Sequence, residues 1–115
     1  MSEETYANYT TLIQTVKEEQ TKGITNSFNQ QLLKAIDRTI ERLKTNPQYG
    51  VPVTRKTAGD TPFKHYGVDR LYLVDLTGYW RLVYTLSSTE IKIVSLILDY
   101  IDHDRYNKIF GYKKR

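Results

Sequence analysis

Apolar residues recur at three- and four-residue steps through the first 45 positions and then give way to alternation, so the chain reads as helices followed by strands. In "SEETYANYTTLIQTVKEEQTKG" the stripe is Tyr6, Tyr9, Leu12, Ile13 and Val16. Ser2 is placed to cap this helix, Glu3 and Glu4 favour its first turn, and Gly23 ends it. "SFNQQLLKAIDRTIERLKTNP" repeats the pattern with Phe28, Leu32, Ala35, Ile36, Ile40 and Leu43. It opens at Asn26 or Ser27 and stops at Asn46, which Pro47 biases away from helix. The two segments predict a helical hairpin, with Arg38, Arg42, Asp37 and Glu41 on its outer face as solvated charge.

Residues 47 to 69, "PQYGVPVTRKTAGDTPFKHYGVD", hold all three prolines and three of the six glycines. They predict a loop with no more than a short extended piece around Val51 to Val53. Long connections of this kind are often functional. Next come "RLYLVDL", "YWRLVYTL" and "EIKIVSLILDYI", separated by turns at Thr77-Gly78 and "SST" and rich in β-branched and aromatic residues, as expected of an antiparallel meander. Each element must bury an apolar face. The expected fold is therefore a single α+β domain over residues 1–115: an N-terminal helical hairpin packed on a small antiparallel sheet, then a short C-terminal helix or tail. The sheet face away from the hairpin is expected to be open to a ligand.

Composition narrows the function classes. At 39% hydrophobic and 26% charged residues the chain has the make-up of a folded globule. With no cysteine there is no disulfide framework, no thiolate nucleophile and no cysteine-based zinc site. No run approaches a membrane span, and the acidic opening "MSEETYANYT" lacks the basic and apolar regions of a signal peptide, so a cytoplasmic protein is expected. The net charge of +4 is uneven: residues 1–50 carry six Lys/Arg and six Asp/Glu, residues 51–115 eleven and seven. A basic half beside a neutral one fits either a polyanion-binding face or a solvated basic surface.

No glycine-rich phosphate loop, HExxH, GxSxG or EF-hand pattern is present. Arg81, in the middle of a strand, is costly to bury alone. It is expected either to pair with a carboxylate such as Asp75 or Asp99, or to face an anion site. Asp99, Asp102, His103 and Asp104 match no standard metal-ligand spacing.

The stretches "AIDRTIERLKTNPQYGVPV", "GVDRLYLVDLTGYWRLVYTL" and "IVSLILDYIDHDRYNKIFGY" together resemble the RelE/ParE superfamily of type II toxins, RelE-like members in particular, over about residues 30–112. The likeness centres on the aromatic-Arg-Leu-Val-Tyr strand and the closing "DHxxYxxxFGY". It implies a toxin that cuts ribosome-bound mRNA with no metal or cofactor and is held inactive by a cognate antitoxin. A ParE-like DNA gyrase inhibitor and a non-catalytic antitoxin-binding relative belong to the same superfamily. Cleavage through the 2′-hydroxyl needs a base, an acid and cations for the phosphorane. The resemblance implies Arg81 as ligand of the scissile phosphate, His103 as acid or base, Lys64 and Arg70 as further catalytic cations, and Tyr106 to orient the phosphate or stack on a base. Arg55, Lys56 and His65 are expected to contact RNA. Where many relatives carry a basic residue on the first sheet strand, this chain has Leu73. On the residues alone, His103 also fits a helix cap flanked by Asp102 and Asp104. Tyr106, Ile109 and Phe110 fit a lid over the helix–sheet seam.

Overall fold

The computed structural model describes residues 2–78, 80–87 and 90–98, the last four of these through the backbone alone. Helices α1 (Glu3–Thr21) and α2 (Phe28–Thr45) form the expected hairpin. Ser2 caps α1, its hydroxyl oxygen accepting from Thr5 N–H at 3.2 Å, and Ser27 caps α2 by accepting from Gln30 N–H at 3.1 Å. Glu19 of α1 ties the two ends together by accepting hydrogen bonds from the Ser27 hydroxyl and the Asn29 amide. These bonds hold its carboxyl below the usual range, the Ser27 contribution being the largest.

Strands β1 (Val51–Pro52), β2 (Tyr72–Asp75), β3 (Trp80–Ser87) and β4 (Glu90–Leu98) pair antiparallel in chain order. The β2–β3 register sets Tyr72 opposite Tyr84 and Asp75 opposite Arg81. The β3–β4 register sets Thr85 opposite Lys92 and shifts between Val83 and Tyr84. At that irregularity the entry to α1 is tied to β4: Ser2 N–H donates to the Ile93 carbonyl at 2.9 Å, and its hydroxyl lies 3.1 Å from the Val94 carbonyl. So anchored, the first turn buries Thr5 and leaves its neighbour Tyr6, expected on the apolar stripe, 62% exposed. Phe28, expected on the second stripe, is also exposed. No helix of the described residues is long and apolar enough to cross a membrane.

The hairpin covers one sheet face. Leu43 of α2 meets Val74, Leu82, Tyr84 and Ile93, with Ile40, Tyr72 and Leu86 around them. The opposite face departs from expectation. Residues 47–69 hold the short extended piece expected near Val51, as β1, but in place of a plain loop they also form two short helices, α3 (Arg55–Ala58) and α4 (Thr61–Tyr66). Phe63 of α4 packs on Leu71 and Val83, with Val53, Tyr66, Val68, Leu73 and Val94 about it. The middle of the face expected to stand open is thus a second core. It explains why Leu82, Val83, Tyr84 and Thr85 are buried in succession on β3 rather than alternately.

One helix–helix contact gives a pH test. The Tyr9 hydroxyl donates to Asp37 Oδ1 at 2.6 Å, and that bond, with lesser help from burial and the Asp37 charge, pushes the phenol up to about 12. A raised pKa means that the contribution is whole below the ordinary tyrosine value of 10.0 and is lost as pH climbs to about 12. Tyr9→Phe should cost about 0.5–1.5 kcal/mol at neutral pH. Urea midpoints of the two proteins should converge between those two pH values; a constant gap would refute the assignment.

Candidate functional site

The second core positions most of the basic residues singled out by sequence. Thr54 caps α3 by accepting from Thr57 N–H at 3.3 Å, and Ala58 is buried. Pro62 enters α4 in its first turn, where a missing N–H costs nothing. Gly67 closes the helix in the left-handed region at φ 66°, the conformation a glycine adopts without penalty. The chain then turns into β2 with Val68 N–H donating to the Phe63 carbonyl at 3.0 Å. Phe63 is therefore the pin on which this unit hangs.

Arg55 serves the unit itself. Its Nε is 3.1 Å from Asp60 Oδ1, its guanidinium lies 4.0 Å from the Phe63 ring centroid, and Nη1 reaches the Asp69 carbonyl at 3.4 Å. Lys56 and His65 are exposed, the His65 ring set edge-on to Tyr66 at 4.7 Å. Lys64 is exposed in the last turn of α4 and lines a cleft of about 220 Å³ with Arg55 and Asp60. Arg70 borders two spaces: a cleft of about 280 Å³ shared with Arg55, and a groove of about 990 Å³ running to the β3–β4 end of the sheet.

That groove is the largest of these openings and lies on the α4 side. Thr85 is buried beneath it, Lys92 stands opposite Thr85 across the β3–β4 ladder, and Arg70, Asp69, Ser87 and Glu90 complete its walls. Arg70 and Lys92 supply charge-assisted donors to an anion, the hydroxyls of Thr85 and Ser87 further polar contacts, and the carboxylates of Asp69 and Glu90 proton acceptors. Lys92 is not among the residues expected from the sequence. Its signal was there: a lysine between Ile91 and Ile93, on the opposite strand face from the two isoleucines that pack with α2. Among the described residues no three or more His, Asp or Glu side chains converge as a metal site.

Arg81 is placed elsewhere. Its Nε lies 3.1 Å from Asp75 Oδ1, the carboxylate directly across the ladder, which is the structural alternative that its mid-strand position raised. It lines none of the three openings around α3 and α4. Arg70, one step beyond the Leu71 level, is about five strand residues away, roughly 17 Å along the sheet. Among the described residues, Arg81 therefore shares none of these openings with the Lys64–Arg70 cluster. His103 and Tyr106 lie outside the described residues, as do Asp99, Ile109 and Phe110.

Comparison of the chain with protein-family models, curated proteins and solved structures found no match.

Proposed function

We propose that the protein is a RelE-like toxin of a type II toxin–antitoxin system, a metal-independent endoribonuclease of the cytoplasm that acts on ribosome-bound mRNA and is restrained by a cognate antitoxin. The observation that carries this reading is the groove that pairs Arg70 with Lys92 on the sheet face away from the hairpin. Its two cations can contact the phosphates of an RNA backbone beside the carboxylates of Asp69 and Glu90, and the order of helical hairpin, meander and aromatic-Arg strand supports the same resemblance. In this reading Arg70 and Lys92 hold phosphates, Lys64 extends the track beside α4, and His103 is the expected proton-transfer group. Arg81 is secondary, because Asp75 engages its guanidinium.

Ribosomes programmed with a defined mRNA should show cleavage in excess EDTA. Arg70→Ala/Lys92→Ala should slow it on the order of a hundredfold, the scale of losing a transition-state charge contact, whereas Arg81→Gln should change it less than tenfold. The reverse ranking would return the site to Arg81.

Leu73 favours a second reading. It packs in the Phe63 core where many relatives have a basic residue, as expected of a ParE-like gyrase inhibitor or a non-catalytic antitoxin-binding relative. Intact mRNA together with inhibited supercoiling by gyrase would select it.

A further inference from the structure

We infer that the outer face of α2 carries a separate nucleotide subsite, in which Arg38 and Arg42 take a phosphate and Tyr49 stacks a base of a single-stranded nucleic acid. A cleft of about 270 Å³ lies between α2, the turn that follows it and the β2–β3 turn, lined by Arg38, Thr39, Arg42, Tyr49, Asp75 and Thr77. Like charges one helical turn apart repel, and the nearby carboxylates of α2 are engaged elsewhere. Asp37 accepts from the Tyr9 hydroxyl at 2.6 Å and Glu41 is 2.7 Å from Lys44 Nζ. Among the described residues neither Arg38 nor Arg42 has an ion pair. Asp75, which lines the cleft, is met at 3.1 Å by Arg81 Nε, so this carboxylate already has a cation beside it. The cleft is left with two planar guanidiniums, the donors best matched to phosphoryl oxygens.

Tyr49 supplies the second half of the subsite. It is 42% exposed, and the Arg42 guanidinium sits 5.3 Å from its ring centroid. The turn that carries it is fixed beforehand: Tyr49 N–H donates to the Asn46 carbonyl at 3.0 Å, and on either side the buried Tyr84 hydroxyl donates to the Pro47 carbonyl at 2.8 Å and accepts from Gly50 N–H at 2.9 Å. A ring carried on a fixed turn loses less freedom when a base stacks on it than one on a mobile loop. The volume suits one nucleotide unit, and a flexible single strand can present phosphate and base together where a duplex cannot. The ligand class rests on the reading proposed above; the subsite itself rests on the cleft.

The test is anisotropy of end-labelled decamers of RNA and of DNA with the full chain at low salt. Arg38→Glu/Arg42→Glu should weaken binding at least tenfold and lower the salt slope by about 0.7, one phosphate contact on a single strand. Tyr49→Ala should weaken it about tenfold. Lys17→Glu/Lys22→Glu, the same charge change at exposed positions near the end of α1, should alter it less than threefold. Loss in the RNA arm, the DNA arm or both supports the subsite and identifies its strand. Equal loss in the two double variants, or loss in neither, overturns it. Failure of the unaltered protein to bind either decamer also overturns it, while mRNA cleavage on ribosomes reports separately on the toxin reading.

Discussion

Tyr84→Ala should lower the unfolding free energy by about 3–5 kcal/mol, the usual cost of removing a large buried aromatic side chain, which is a large part of a stability of about 5–15 kcal/mol. Tyr84 is fully buried at the centre of β3, where its ring stacks on Tyr72 at 5.0 Å with the planes 13° apart. Its hydroxyl makes one donated and one accepted bond, so both its polar capacities are matched across the turn from Pro47 to Gly50. Tyr84→Phe keeps the ring and orphans the Gly50 N–H, so about 1–3 kcal/mol of the loss should remain. Gly50→Ala attacks the same contact from the other side. A Cβ there would lie 2.8 Å from Tyr84 Cε1 and 3.1 Å from the Leu73 carbonyl oxygen, distances that require the turn to shift. Denaturant unfolding of the three variants and of the double Tyr84→Phe/Gly50→Ala should show strong non-additivity, because the two groups occupy one contact. Additive losses would mean that the turn is held by something other than this clasp. Burial, the largest influence, raises the Tyr84 phenol above its ordinary value. Its contribution is accordingly whole below pH 10.0 and declines only as pH rises through that raised value.

The parts of the fold legible in the sequence are those whose periodicity runs long enough to average out local exceptions. Two helices of 19 and 18 residues and strands of eight and nine declare themselves in that way. Helix α4, of six residues, is too short for a stripe. Its start at Asp60-Thr61-Pro62 and its stop at Gly67 are start and stop signals that also read as loop breakers, and only the burial of Phe63 decides between them. The site was half legible for the same reason. That residues 55–70 carry Arg55, Lys56, Lys64 and Arg70 is read directly from the sequence. That Arg55 is held by Asp60 and Phe63, and that Lys92 rather than Arg81 shares a groove with Arg70, depends on strand register and on α4. Arg81 illustrates the limit well: its mid-strand position raises Asp75 and Asp99 alike as partners, and register puts Asp75 opposite it.

Phe63→Ala is the substitution that should couple fold to function most strongly. Phe63 is 4% exposed and is the one α4 residue buried against both Leu71 and Val83, so truncation should cost about 3–5 kcal/mol. It also removes the ring under the Arg55 guanidinium, leaving that cation with Asp60 and the Asp69 carbonyl as its contacts. The hairpin core of Leu43, Leu82, Tyr84 and Ile93 does not include Phe63. Loss should therefore concentrate in amide exchange of residues 54–71, by local opening of α3 and α4, before it reaches α2 and β3. If the Arg70–Lys92 groove is the RNA track, the same variant should lose RNA affinity at temperatures where its far-ultraviolet dichroism is still native, because Lys64 and Arg70 are positioned by the segment that opens. Phe63→Leu fills most of the volume and should restore both exchange protection and affinity. Uniform loss of protection throughout the chain would show instead that the two cores unfold as one, and full RNA affinity with α4 open would remove the α4 face from the binding surface.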